Sequence, residues 1–88
     1  MDIFIYIGNG LTAPKDEIED ALDDMLQDRG EVTGGGGGNT GFNIDIETFD
    51  DDSSLIEEVK AVLKGFRVPI DASIVIDGQR FAVYDQEQ

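Results

Sequence analysis

Residues Ile3-Phe4-Ile5-Tyr6-Ile7 are apolar on both alternating faces, β-branched or aromatic at every position, and stop at Gly8-Asn9-Gly10. Such a segment reads as a strand with both sides covered, central in its sheet. No other feature of the 88-residue chain constrains the fold as much.

The segments that follow supply the rest of such a sheet and its cover. Thr12-Ala13-Pro14 offers a cap and a proline suited to a first helical turn. Ile18, Leu22, Met25 and Leu26 form the apolar stripe of an amphipathic helix ending near Gly30. Its other face holds Asp16, Glu17, Glu19, Asp20, Asp23, Asp24 and Asp28, more acid than solvation requires. Glu31-Val32-Thr33 reads as a short strand. Gly34 to Thr40 reads as a loop, because a glycine run holds regular structure only at high entropic cost. Phe42, Ile44 and Ile46 alternate with Asn43, Asp45 and Glu47, the pattern of a half-buried strand. A second helix carries Leu55, Ile56, Val59, Val62, Leu63 and Phe66. Ser54 and Glu57 have capping-box spacing at its start, and Gly65 and Pro69 punctuate its exit. Ser73 to Ile76 and Arg80 to Tyr84 are strands joined through Asp77-Gly78, a hairpin turn signal.

The resulting order is β-α-β-β-α-β-β, without an internal repeat or a linker long enough to divide the chain. With right-handed crossovers, the first six elements form a split βαβ pair. The expected fold is an α+β, ferredoxin-like two-layer sandwich with an extra C-terminal strand and the strand order 2-3-1-4-5. Both helices then cover one face of the sheet.

Charge narrows the function. Six Lys+Arg stand against 20 Asp+Glu with no His, a net charge of −14, and a surface of that sign repels nucleic acid and anionic membranes. Without Cys there is no disulfide framework, thiolate nucleophile or Cys/His zinc site. Without His the most common general base near neutral pH is missing. Carboxylate dyads need a cleft and a raised pKa, which nothing in the sequence predicts. The start lacks a basic leader region and no apolar run reaches membrane-spanning length, so the expectation is a cytoplasmic binding protein rather than an enzyme, with no cofactor.

Three constellations compete for that binding role. Gly8-Asn9-Gly10 and Gly34 to Gly38 fall at one end of the sheet, where backbone amides beside a helix start could cradle phosphate or a small ligand. Asp16 and Glu17 oppose an anion there, however, and no nucleotide-binding glycine motif is present. The opposite end collects Asp2, Glu47, Asp50, Asp51, Asp52 and Asp77; it lacks the calcium-loop pattern, so no metal site is expected. If Ile3, Ile5 and Ile7 face the helices, Phe4 and Tyr6 face the open side beside Asp45 and Glu47. Aromatic anchors with a charged rim typify protein interfaces. The expected partner-binding residues are therefore Tyr6, Asp45, Glu47, Asp50, Asp51 and Asp52. The rival surface is the helical acid face at Asp20, Asp23, Asp24 and Asp28.

In size, charge and topology the whole chain resembles the immunity proteins of bacterial polymorphic-toxin and contact-dependent inhibition systems. The stretch from Gly30-Glu31-Val32-Thr33 through the glycines to Asn43-Ile44-Asp45-Ile46-Glu47 is similar to segments of such small proteins. The resemblance implies a cognate toxin, often a nuclease or another enzyme with a basic active site, neutralised inside the producing cell. Physics points the same way, because a basic site is blocked readily by an acidic plug whose charge speeds association. A nucleic-acid mimic of phage type, and a regulatory or ligand-sensing domain that uses the glycine-rich loops, are the alternatives.

Overall fold

The computed structural model describes residues 1–8, 14–38, 41–49 and 54–84. The elements are β1 (Asp2–Gly8), α1 (Lys15–Leu26), β2 (Gly30–Gly38), β3 (Gly41–Thr48), α2 (Ser54–Gly65), β4 (Ser73–Ile76) and β5 (Gln79–Ala82). A 3-10 turn at Gln27–Arg29 joins α1 to β2. The strands form one antiparallel sheet in the order β2-β3-β1-β4-β5, the expected α+β two-layer arrangement. With β1 in the middle, Ile3 pairs with Ile46 on one side and Ile76 on the other, and Ile5 with Ile44 and Ile74.

Those isoleucines make the sheet's half of the core. Ile18, Leu22 and Leu26 of α1 and Leu55, Val59 and Leu63 of α2 supply the other half, and all are essentially inaccessible to solvent. Each such side chain contributes roughly 1.5–3 kcal/mol by leaving water. Both helices pack on the same face of the sheet, in one core with its isoleucines, as right-handed crossovers require. The opposite face of β1 consequently stays open, with Asp2 and Tyr6 exposed and Phe4 half-buried. The strand is central as its pattern requires, but it is covered on one side only.

The glycine run departs furthest from expectation. Gly34 to Gly38 is not a loop. It completes β2, a nine-residue strand paired with β3 from Gly30↔Thr48 to Gly38↔Gly41 and interrupted by a bulge between Val32 and Gly34. β3 is already fixed by Phe42, Ile44 and Ile46. It offers a ready-made ladder, and the hydrogen bonds gained there offset the entropy of ordering glycine. One of the five is also sterically required, since a Cβ on Gly35 would lie 2.3 Å from the Asn43 carbonyl oxygen.

The element ends differ in smaller ways. Pro14 is the N-cap of α1, with extended backbone (φ −66, ψ 144), rather than part of its first turn. Helix α2 opens on Ser54 itself, so the residue that would cap it lies outside the described residues. Gly65 is the last residue of α2, yet the left-handed position that ends the helix is Arg67, at φ 58. The Arg67 N–H donates to the Lys64 carbonyl and the Val68 N–H to the Leu63 carbonyl. That is a Schellman arrangement, closed by burial of Val68 and Leu63. Asp77 and Gly78 form the expected tight turn, with φ 53 and 80. β5 stops at Ala82, after which Val83 is buried and the Tyr84 hydroxyl donates to the Val68 carbonyl at 2.6 Å.

Two expectations follow for stability. Arg67→Gly relieves a left-handed L-residue and should stabilise the fold by about 0.5–1 kcal/mol after the added chain entropy of glycine. Gly34→Ala, with open space at its Cβ position, should be neutral or mildly stabilising, whereas Gly35→Ala should cost more than about 1 kcal/mol. Urea denaturation checks both, and equal effects of the two alanine variants would contradict the strand.

A candidate binding face on the open sheet

Directly opposed residues of antiparallel strands share a face, so the register fixes what the open side presents. One cross-strand row is Glu31–Glu47–Asp2, running over β2, β3 and β1. The next holds Asp45, Phe4, Val75 and Arg80 across β3, β1, β4 and β5. The third holds Asn43, Tyr6, Ser73 and Ala82, and the last consists of Gly38, Gly41 and Gly8. The face therefore changes along the strands from carboxylates, through aromatics, to glycine.

Three like charges are directly opposed in the first row, roughly 4.5–5.5 Å apart at Cα. Asp2, Glu31 and Glu47 are all exposed, and none makes an ion pair or a side-chain hydrogen bond among the described residues. A like-charge pair in that position is destabilising. The row is also too spread to converge on an ion: among the described residues no group of three or more acidic side chains could hold a metal.

Asp45 is half-buried beside this row and accepts a hydrogen bond from Asn43 Nδ2 at 2.9 Å. Tyr6 is 43% exposed, large for an aromatic side chain on a strand. The Arg80 guanidinium lies 5.8 Å from its ring centroid, within cation–π range, and Arg80 Nη1 donates to Ser73 Oγ. Arg80 is the only basic residue in any of the five strands.

Of the residues expected to bind a partner, the structure thus brings Tyr6, Asp45 and Glu47 onto one face. Asp50, Asp51 and Asp52 lie outside the described residues. The rival acids Asp20, Asp23, Asp24 and Asp28 are exposed in the helical layer, behind the sheet. Asp23 serves the fold, since its Oδ1 accepts the Val32 N–H at 2.9 Å and ties α1 to β2. The helical layer also carries its own cations. Lys15 pairs with Glu19 at 2.6 Å, Arg29 grips Glu58 with two hydrogen bonds of 2.8 and 3.0 Å, and Lys60 lies 3.5 Å from Glu57.

The glycine-based phosphate cradle does not form from Gly34 to Gly38, because those residues are an extended strand paired with β3 rather than a loop curled around a ligand. Glu31 was missing from the expected site for the same reason. Its partner is defined only once the glycines are read as strand, which places Glu31 opposite Glu47. Comparison of the chain with protein-family models, curated proteins and solved structures finds no match.

Neutralising the acid row should stabilise the protein. Relative to wild type, the combined variant Asp2→Asn, Glu31→Gln, Glu47→Gln is expected to gain about 0.2–1 kcal/mol for each like-charge contact removed. Urea unfolding at low ionic strength measures the gain, which should shrink as salt is raised and the Debye length falls.

Proposed function

We propose that this chain is an acidic protein-binding inhibitor that docks a basic protein on its open sheet face. In the most specific form of the reading it is an immunity protein, acting in the cytoplasm of the producing cell. It would neutralise a nuclease-like toxin by covering its active site or substrate surface. The observation that carries the reading is the Glu31–Glu47–Asp2 row. Uncharged polar residues would keep those positions soluble without mutual repulsion, and a cationic partner converts that repulsion into attraction. Tyr6 stands two rows away as a half-exposed aromatic, the residue type that anchors interfaces. The resemblance in size, charge and topology to small immunity proteins supports the identity of the partner as a toxin.

Carboxylates at a rim act mainly on the association rate, and a desolvated aromatic on dissociation. A partner captured from the native cell and purified should be basic, and its enzymatic activity should fall on mixing with this protein. In stopped flow, Glu31→Lys with Glu47→Lys should slow association at least tenfold and flatten its salt dependence. Tyr6→Ala should raise the dissociation rate about thirtyfold, the equivalent of roughly 2 kcal/mol. If charge reversal at Asp20, Asp24 and Asp28 abolishes binding while the sheet variants associate normally, the binding surface is the helical layer instead.

A further inference from the structure

The far end of the open face, away from the acid row, holds a cleft of about 320 Å³ lined by Tyr6, Gly8, Gly41, Asn43, Asp71, Ser73 and Arg80 among others. We propose that this cleft binds a free α-amino acid in its zwitterionic form, a role separate from the docking of a basic protein. Arg80 and Asp71 both line it, yet they form neither an ion pair nor a hydrogen bond with each other. A cation and a carboxylate thus face one small space while each remains available to a ligand.

Arg80 is held ready for a carboxylate. Its Nη1 is committed to Ser73 Oγ, a buried hydroxyl, and its plane sits over the Tyr6 ring. The remaining guanidinium N–H groups provide the forked donor geometry that carboxylates accept. The opposite charge is set by glycine. Asp71 Oδ2 lies 3.1 Å from where a Cβ on Gly8 would be, so the carboxylate sits in the space a side chain at residue 8 would take. Gly41, at φ 129, could not carry a Cβ either, because it would fall 2.3 Å from the Ile7 carbonyl oxygen. The floor of the cleft is therefore bare backbone from two strands, bounded by one charge of each sign.

Charge decides among ligand classes. A simple anion is opposed by Asp71 and by the net charge of −14; a simple cation, which that net charge attracts, is opposed locally by Arg80. A zwitterion is neutral at a distance and meets a partner at each end. The volume is at the lower limit of small-molecule sites, about 300 Å³, which suits a molecule the size of an amino acid.

Isothermal titration with each of the twenty common L-amino acids at millimolar concentration tests the site, with acetate, ethylammonium and inorganic phosphate as single-charge controls. At least one amino acid should bind more tightly than every control. Arg80→Gln and Asp71→Asn should each weaken that binding at least about tenfold. Both residues are exposed, and circular dichroism verifies the fold of each variant. The proposal is overturned if no amino acid binds, or if acetate or phosphate binds as tightly and Asp71→Asn leaves the affinity unchanged, which would mark a plain anion site. Glu31→Lys with Glu47→Lys, which tests the protein-docking face, should leave amino-acid affinity within about twofold, so the two readings fail separately.

Discussion

The isoleucines of β1 hold the molecule in register. Ile3, Ile5 and Ile7 must face the helices, and each neighbouring strand repeats the demand with Ile44 and Ile46 on one side and Ile74 and Ile76 on the other. Because side chains alternate with a period of two, a slip of one residue would exchange these isoleucines for Asp2, Phe4 and Tyr6. It would bury a carboxylate without a partner, at a cost of several kcal/mol. That penalty fixes the pairing of three strands at once. With the register fixed, Asp2, Glu47 and Glu31 have no choice but to stand in line. The alternation dictates that these positions are polar. It does not dictate that all three carry the same charge.

The parts of the fold legible in the sequence are those in which side chains carry the signal. The alternation of Phe42, Ile44 and Ile46, the helical stripes at Ile18-Leu22-Leu26 and Leu55-Val59-Leu63, and the Asp77-Gly78 turn each name their element, and the handedness of crossovers then yields the strand order. Gly34 to Gly38 has no side chains and hence no period, so its strand character resides entirely in its partner, β3. The same blindness hid Glu31, whose place opposite Glu47 depends on that pairing. Arg80 was legible as a strand residue but not as the neighbour of Tyr6, because they meet diagonally across β1, β4 and β5. Arg67 shows a different limit. Gly65 and Pro69 mark a helix end correctly, yet the backbone places its left-handed residue two positions after the glycine.

Charge is distributed unevenly between the layers. Lys15, Arg29, Lys60, Lys64 and Arg67 lie in the helices, in the turn after α1 or at the exit of α2, and three of them are paired with Glu19, Glu58 and Glu57. The sheet has Arg80 alone, on the edge strand β5 across the sheet from β2 and in the row next to the acid row. At physiological ionic strength the screening length is about 8 Å, well below the 23 Å of the molecule's shortest dimension. A partner at contact thus responds to the face it meets rather than to the total of −14. Helical acids such as Asp20 and Asp24 add to long-range steering at low salt. In the proposed complex, the unpaired row on the sheet would govern the encounter once the surfaces are close.

The same acids bear on the weakest part of the architecture. β2 is an edge strand, and five glycines leave its outer backbone groups without side chains to shield them. An edge of that kind is a template for another strand. Proteins blunt such edges with bulges and charge, and β2 has both: the irregularity between Val32 and Gly34, and Glu31 beside the Glu47 carboxylate. Two copies meeting edge to edge in parallel would bring their acid rows together as well, so repulsion between carboxylates opposes that mode of self-pairing. The charge that lowers the stability of the fold therefore also opposes one way in which its exposed edge could pair. A cationic partner, the class of protein proposed for this face, would escape that repulsion.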